Sequence, residues 1–509
     1  MLRTAGITAV MSAAGAVAGL ALDGLLLFWF GADLQTDALF AALVVPTLLN
    51  GIVAIQAPKI LVPLFSTLFD NDDAHAWDVL RNLLTAAGLV FAVAATLGAV
   101  VAPFTVPLLV PGLDDTTQRL TASLSALLYA IVLLQGLGFV VQAVLYARQS
   151  YLVSSTPKLI INLTAIATAF ALGPDRFGIH VIAWGMVAGS AVQLAVLSAA
   201  LAGHGFRYRW SLNFADPTLR GIVRSFTYPI AGHLLGESGA IVQSVLASFL
   251  GSGSLTLLQY ASRILGAIGG ILLGSVVQVT LPMVAKHAAA RDRDLQKRTL
   301  LEAIQILTLA TVPLSVWLIF IAEPVVVLLF QRGQFSPADA AITAAIIRVM
   351  VPYFFLARFV SVSQTLFYAN GDLRTPFVAT VIFTAANTVL AVLLAALLRE
   401  QGVGIALSIA AVSNTVYMIV KLNRTFGPLG WSAMWPFARR VAGSGALAGA
   451  GFALGLAISS SFAMSDAVSR FVDVALPSAL GFSVFIVGIA VCDFGTRRRI
   501  MSLASRFLP

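Results

Sequence analysis

ALFAALVVPTLLNGIVAIQAPKILVPLFSTL, residues 38–68, carries no acid and a single basic residue, Lys59. A helix needs about 20 consecutive apolar residues to cross a bilayer's hydrocarbon, and this run exceeds that. A membrane-spanning strand would instead alternate polar and apolar over about 10 residues. Here Leu, Val, Ile and Ala follow one another with no period of two. The stretch reads as a helix immersed in lipid or in other helices.

Working outward, similar windows fall at 5–30, 83–110, 120–147, 152–172, 177–202, 222–250, 255–284, 300–330, 338–368, 376–398, 402–422, 437–464 and 471–493. Turn-forming residues separate them, among them Gly31, Pro111-Gly112, Gly173-Pro174, Gly251-Ser252-Gly253, Asn370-Gly371 and Gly427-Pro428. The fold class is therefore an all-α polytopic membrane protein with about fourteen transmembrane helices. Composition agrees: 59% of the 509 residues are hydrophobic and 10% are charged. Soluble domains carry about 25% charged residues. The mean hydropathy is +0.94. Residues 1–30 have some features of a signal peptide, but the apolar run is long for one and contains Asp23.

The net charge of +9 invites a nucleic-acid reading, which the placement of the charges opposes. With a cytoplasmic N-terminus, 22 of the 31 Lys and Arg residues fall on one side and 5 on the other, leaving Lys59, Arg263, Arg348 and Arg358 inside helices. That is the positive-inside pattern, with both termini cytoplasmic. The loop at 69–80, with Asp70, Asp72, Asp73 and Asp78, is the acidic exception. Cys492 is the only cysteine, so no internal disulfide forms. No Walker A, HExxH, CxxC or nucleophile-elbow pattern occurs. Neither an enzyme nor a cofactor is expected.

The chain repeats at an offset near 220. Phe30-Gly31, Thr36 and Phe40-Ala41 align with Leu250-Gly251, Thr256 and Tyr260-Ala261. Leu145-Tyr146-Ala147 aligns with Phe367-Tyr368-Ala369, each followed by Thr-Pro. Six helices separate the copies. This predicts two six-helix lobes of the same orientation, 1–205 and 206–425, with two further helices and a basic tail over 426–509. Transporters built from parallel repeats bind substrate where the repeats meet.

Ionisable residues at membrane depth are costly and usually mark a substrate path. His233 and Glu237, four apart, share one helix face and are candidates for coupling or gating, with Asp23. Arg263 suits a phosphate, because its guanidinium offers a bidentate fork. Lys59, beside Pro58, is a second anion-binding candidate. Arg348 and Arg358 lie about 80° apart in helical projection; they line one cavity wall, or one of them serves the interface. Asp37 caps the second helix or joins the substrate site. The glycines between Gly443 and Gly455 permit close helix packing.

Several segments resemble the lipid II flippase (MurJ/MviN) family. They are Phe30-Gly31-Ala32 with Thr36-Asp37-Ala38-Leu39-Phe40, Pro46-Thr47-Leu48-Leu49, Tyr260-Ala261-Ser262-Arg263, Leu329-Phe330-Gln331-Arg332-Gly333-Gln334-Phe335 and Phe367-Tyr368-Ala369 with Asp372 and Thr375-Pro376. The resemblance implies the multidrug/oligosaccharidyl-lipid/polysaccharide exporter fold, with two lobes around a cavity and a lipid groove on the last two helices. It implies translocation of a polyprenyl-pyrophosphate-linked saccharide across a bacterial inner membrane. The anion would sit on Arg263, Lys59, Arg348 and Arg358, with Asp37 carried over. The partners implied are the lipid-linked substrate, the bilayer and cell-envelope synthesis enzymes. Departures are equally visible. The family's first-helix arginines are Ala16 and Leu22 here, its arginine pair after the PNLL motif is Asn50-Gly51, and its AEGAFS-like segment is Ala54-Ile55-Gln56-Ala57-Pro58-Lys59. These departures keep open a different lipid-linked glycan, a cation-coupled multidrug exporter and a scaffold without transport.

Overall fold

The computed structural model describes residues 2–213, 216–461 and 466–491. Their ordered elements are all helical: α1 (Leu2–Phe30), α2 (Leu34–Asn71), α3 (Asp73–Leu109), α4 (Asp115–Leu128), α5 (Ala130–Ala147), α6 (Tyr151–Ser154), α7 (Pro157–Leu172), α8 (Pro174–Phe177), α9 (His180–Gly203), α10 (Pro217–Ser248), α11 (Ser254–Ala289), α12 (Arg293–Phe330), α13 (Pro337–Ala369), α14 (Arg374–Phe426), α15 (Trp431–Ser459) and α16 (Asp466–Val491). Ten helical segments among the described residues are long and apolar enough to cross a membrane, α4 and α5 forming one of them. α14 is broken at Arg399, where φ is 52°, inside the interval expected to separate two windows.

The chain forms two compact units, Met1–Thr256 with Arg332–Phe335, and Leu257–Gln331 with Ser336–Pro509. In the first, α2 packs on α5, α4 and α10, and α7 packs on α9. Lipid gives no hydrophobic drive between helices, so close van der Waals fit holds them. α9 achieves that fit through Gly185 and Gly189. A Cβ at either would come within 3 Å of the α7 backbone, at Ala165 and Ile161. In the second unit, α12 and α13 pack together, and α15 lies against α16 and α12. The expected small-residue stripe works here. Gly451 and Gly455 face Gly481 and Pro477 of α16, while Gly445 and Gly449 face Val312 and Phe320 of α12.

The few carboxylates are concentrated at helix starts, where unpaired backbone amides need acceptors. Asp72 accepts from the amides of Ala74 and His75, Asp216 from Thr218, and Asp292 from Leu295. Asp114 accepts from the amides of Thr116 and Thr117 and from the Thr117 hydroxyl. The hydroxyl bond, then the amides, hold the Asp114 carboxyl below its ordinary value. The stretch 69–80, expected as an acidic loop, is instead helical except at Asp72, and two of its acids form ion pairs. Asp73 pairs with Arg148 at 2.8 Å, and Asp78 pairs with Arg81. The Arg148 guanidinium also lies 3.9 Å from the Phe69 ring centroid.

Two helix ends aligned by the sequence share a local geometry. After α5, the amide of Ser150 donates to Leu145 and that of Gln149 to Tyr146. After α13, Asp372 donates to Phe367 and Gly371 to Tyr368. Both ends are the same left-handed helix stop, with φ of 57° at Gln149 and 77° at Gly371. The aligned threonines, Thr36 and Thr256, are both fully buried.

Candidate functional site

In the first unit, Asp37 is 1% exposed and its carboxylate is fully engaged. It accepts the Gly253 amide at 2.8 Å, the Thr256 amide at 2.8 Å and the Thr256 hydroxyl at 2.6 Å. Those donors form the start of α11, so Asp37 caps α11 and not its own helix. The reason is position: Asp37 is the fourth residue of α2, and its own amide is already bonded to Asp33. Asp33 reinforces the contact by accepting from the Ser252 hydroxyl at 2.7 Å. The approach is so close that a Cβ on Gly253 would lie 2.4 Å from the Ala32 carbonyl oxygen, at a φ of 80°.

His233 lies on α10 with its ring against α2. A Cβ on Gly51 would fall 2.8 Å from its Nε2. The imidazole thus occupies the space that a side chain at position 51 would need. Its Nε2 is buried without a hydrogen-bond partner, as is Oδ1 of the adjacent Asn50. The Asn50 amide donates to the Ile131 carbonyl at 3.3 Å and to Gln135 Oε1 at 3.4 Å. Gln135 in turn donates to Ser190 at 2.9 Å. Glu237, one turn further along α10, is exposed. Lys59 is exposed on α2, between the buried Ala57 and Leu61. α2 runs unbroken through Pro46, Pro58 and Pro63. Asp23 is half-buried on α1.

In the second unit, Arg263 is exposed on α11. Its guanidinium carbon lies 5.7 Å from the Tyr260 ring centroid. Tyr260 is fully buried and packs on Phe330 with centroids 4.9 Å apart. An immobile ring thus steadies the flexible arginine, a cation–π arrangement. Arg348 turns to α12, where it donates to the Ile319 carbonyl at 3.0 Å and to Glu323 at 3.2 Å. Arg358 turns to α11, its terminal nitrogen filling the space above Gly269, where a Cβ would lie 2.4 Å away. Its Nε is buried without a partner. The two arginines of α13 therefore address different neighbours.

Several polar residues escaped the sequence reading. Glu323 sits inside an apolar window and could have been found by the same rule that singled out Glu237. Asn50, Gln193, Asn387, Asn414 and Thr415 have buried oxygens without partners. As neutral residues they carry no charge signal, so hydropathy passes over them. No cluster of three or more His, Cys, Asp or Glu suited to a metal occurs among the described residues.

The comparisons with known proteins agree in one direction. The family model for "Lipid II flippase MurJ" matches residues 28–465. The "Probable lipid II flippase MurJ" of Treponema pallidum (strain Nichols) is 24% identical over 441 residues, 84% of this chain and 82% of that protein. The "Lipid II flippase MurJ" of Burkholderia cenocepacia is 23% identical over 426 residues, 80% of this chain and 81% of that one. Among solved structures, a lipid II flippase MurJ in an inward closed conformation superposes with a TM-score of 0.78 at 20% identity, covering 96% of this chain and 98% of that one. An inward-facing multidrug resistance MATE family transporter of the MOP superfamily gives 0.63 at 14% identity, covering 81% and 94%. These structural likenesses establish the fold, and the match along residues 28–465 shows that the chain belongs to the lipid II flippase MurJ family.

Proposed function

We propose that this protein flips a lipid II-type precursor, a polyprenyl-pyrophosphate-linked saccharide, from the inner to the outer leaflet of a bacterial inner membrane. The observation that carries the reading is the family match along residues 28–465. Translocation is by alternating access: the polar head group passes through a hydrated path while the lipid tail stays in the bilayer, and no bond is broken. Arg263, Lys59 and Arg358 hold the pyrophosphate. Support comes from the exposure of Lys59 and Arg263 and the partnerless Nε of Arg358, all within apolar helices. Arg348, already paired with Glu323, contributes when that pair opens. Asp37 acts on the site by holding the start of α11, the helix that carries Arg263. Glu237, His233 and Asp23 couple or gate the step. Both termini are cytoplasmic. Fourteen spans result from the ten segments above together with α7, α10, α11 and the division of α14 at Arg399.

The test is a leaflet assay. Purified protein is reconstituted with lipid II in sealed vesicles, and the fraction of lipid II reached by an impermeant head-group reagent is followed in time. Accessibility rising well beyond that of protein-free vesicles is expected. Accessibility equal to protein-free vesicles, from folded protein, overturns the reading.

A further inference from the structure

The chain between α9 and α10 reads Phe206-Arg207-Tyr208-Arg209-Trp210, aromatic and basic residues in strict alternation. Residues 206–213 form no helix. Phe206, Tyr208 and Trp210 all line one cavity, Phe206 buried and Tyr208 and Trp210 exposed at its edge, and the neighbouring Arg207 and Arg209 are exposed too. The strap is pinned to α3. Arg81 donates through Nε to the Arg207 carbonyl at 3.1 Å, Ser211 donates to Asn82, and the Phe206 ring lies 5.5 Å from that of Trp77.

The cavity, about 520 Å³, is walled by α3, α5 and α9 through residues such as Leu84, Leu137, Val141 and Leu194. Its polar members largely satisfy one another: Thr85 donates to the Arg81 carbonyl, and the Tyr208 hydroxyl lies 3.1 Å from the Thr85 hydroxyl. What remains is an apolar chamber, open on one side, whose lining favours an apolar guest. Its edge carries the exposed Tyr208 and Trp210, and Arg207 and Arg209 alternate with them along the chain, the pattern of a membrane surface rich in anionic lipid. Arg81 is already paired with Asp78, so the strap's own Arg207 and Arg209 are the cations offered there.

We propose that this chamber holds an acyl chain of an anionic glycerophospholipid, with the lipid phosphate on Arg207 and Arg209. The site is separate from the residues assigned to the transported head group. Its assignment to the inner leaflet rests on the proposed topology; the binding itself does not.

Native mass spectrometry of the full chain in detergent, titrated with phosphatidylglycerol or phosphatidylcholine of the same acyl length, tests it. The first phosphatidylglycerol should bind at least about tenfold more tightly than phosphatidylcholine. Arg207→Gln with Arg209→Gln should weaken phosphatidylglycerol about thirtyfold and leave phosphatidylcholine unchanged. Gly88→Leu fills the chamber from α3, where a Cβ meets only Leu137 at 3.9 Å, and should weaken both lipids while the protein stays folded. Equal affinity for the two lipids, or parental phosphatidylglycerol binding in either variant, overturns the proposal. So does one-for-one displacement of phosphatidylglycerol by a polyprenyl phosphate, which would make the chamber part of the substrate path. Flipping activity is not the readout, so failure here leaves the proposed function standing.

Discussion

Asp37 accepts two hydrogen bonds from Thr256, at 2.8 Å from the amide and 2.6 Å from the hydroxyl, across 219 residues of chain. A buried carboxylate is thereby placed at a helix N-terminus, where backbone amides and the helix dipole favour negative charge. The donors would otherwise be buried amides without acceptors. Asp37→Ala should therefore cost about 2–3 kcal/mol and lower the thermal midpoint. It should also slow flipping, because α11 carries Arg263. Asp37→Asn should recover little, since its NH2 opposes one of the donors. An unshifted midpoint for Asp37→Ala would remove the cap from the stability argument.

Arg263→Ala should abolish flipping while the protein still folds and inserts. The side chain is exposed and lies over the Tyr260 ring, so its loss leaves the packing of Tyr260 on Phe330 in place. A fork of charge-assisted donors to a pyrophosphate has no substitute. Parental rates in the leaflet assay would take Arg263 out of the binding site.

Glu237→Gln should reduce flipping more than stability. Glu237 is exposed, so its truncation opens no core. Gln keeps the shape but cannot ionise, so slower flipping at an unchanged thermal midpoint would assign the role to the charge. Parental flipping rates, in a variant of normal midpoint, would exclude Glu237 from coupling.

Gly51→Ala should destabilise by about 1–3 kcal/mol through overpacking, because its Cβ meets the His233 ring at 2.8 Å. In a His233→Ala background the same substitution should be nearly neutral. A double-mutant cycle on thermal or denaturant unfolding measures the coupling. Additive effects would show that the ring does not hold that space.

Asp114 caps α4, and its carboxyl is held below its ordinary value first by the Thr117 hydroxyl. A lowered folded-state value means that the contribution to stability is present above the unfolded value, about 3.9. It is lost as pH falls through the folded value. The gap in thermal midpoint between the parent and Asp114→Asn should therefore be full at neutral pH and close only in strong acid. A gap that is constant across that range would show that ionisation is not what the cap uses.

Hydropathy, turn residues and capping act within about one helix length, so the sequence by itself determined the membrane class, the all-helical fold, the gap between residues 398 and 402 and the family. The segments that carried the family resemblance, such as Thr36-Asp37 and Tyr260-Ala261-Ser262-Arg263, are also short and contiguous. Asp23, Lys59, His233, Glu237, Arg263, Arg348 and Arg358 stood out inside apolar windows for the same reason, while Glu323 was passed over. What each does was not. The acceptor role of Asp37 toward α11, the His233 ring in the space of Gly51, and the separate neighbours of Arg348 and Arg358 all depend on which helices meet. Helical spacing gives a projection angle on one helix and nothing about the partner across from it. In a membrane interior, where no water is at hand to satisfy a polar group, that partner decides whether a charge braces the fold or faces a substrate. Only the tertiary structure, by bringing together residues such as Asp37 and Thr256, decides it.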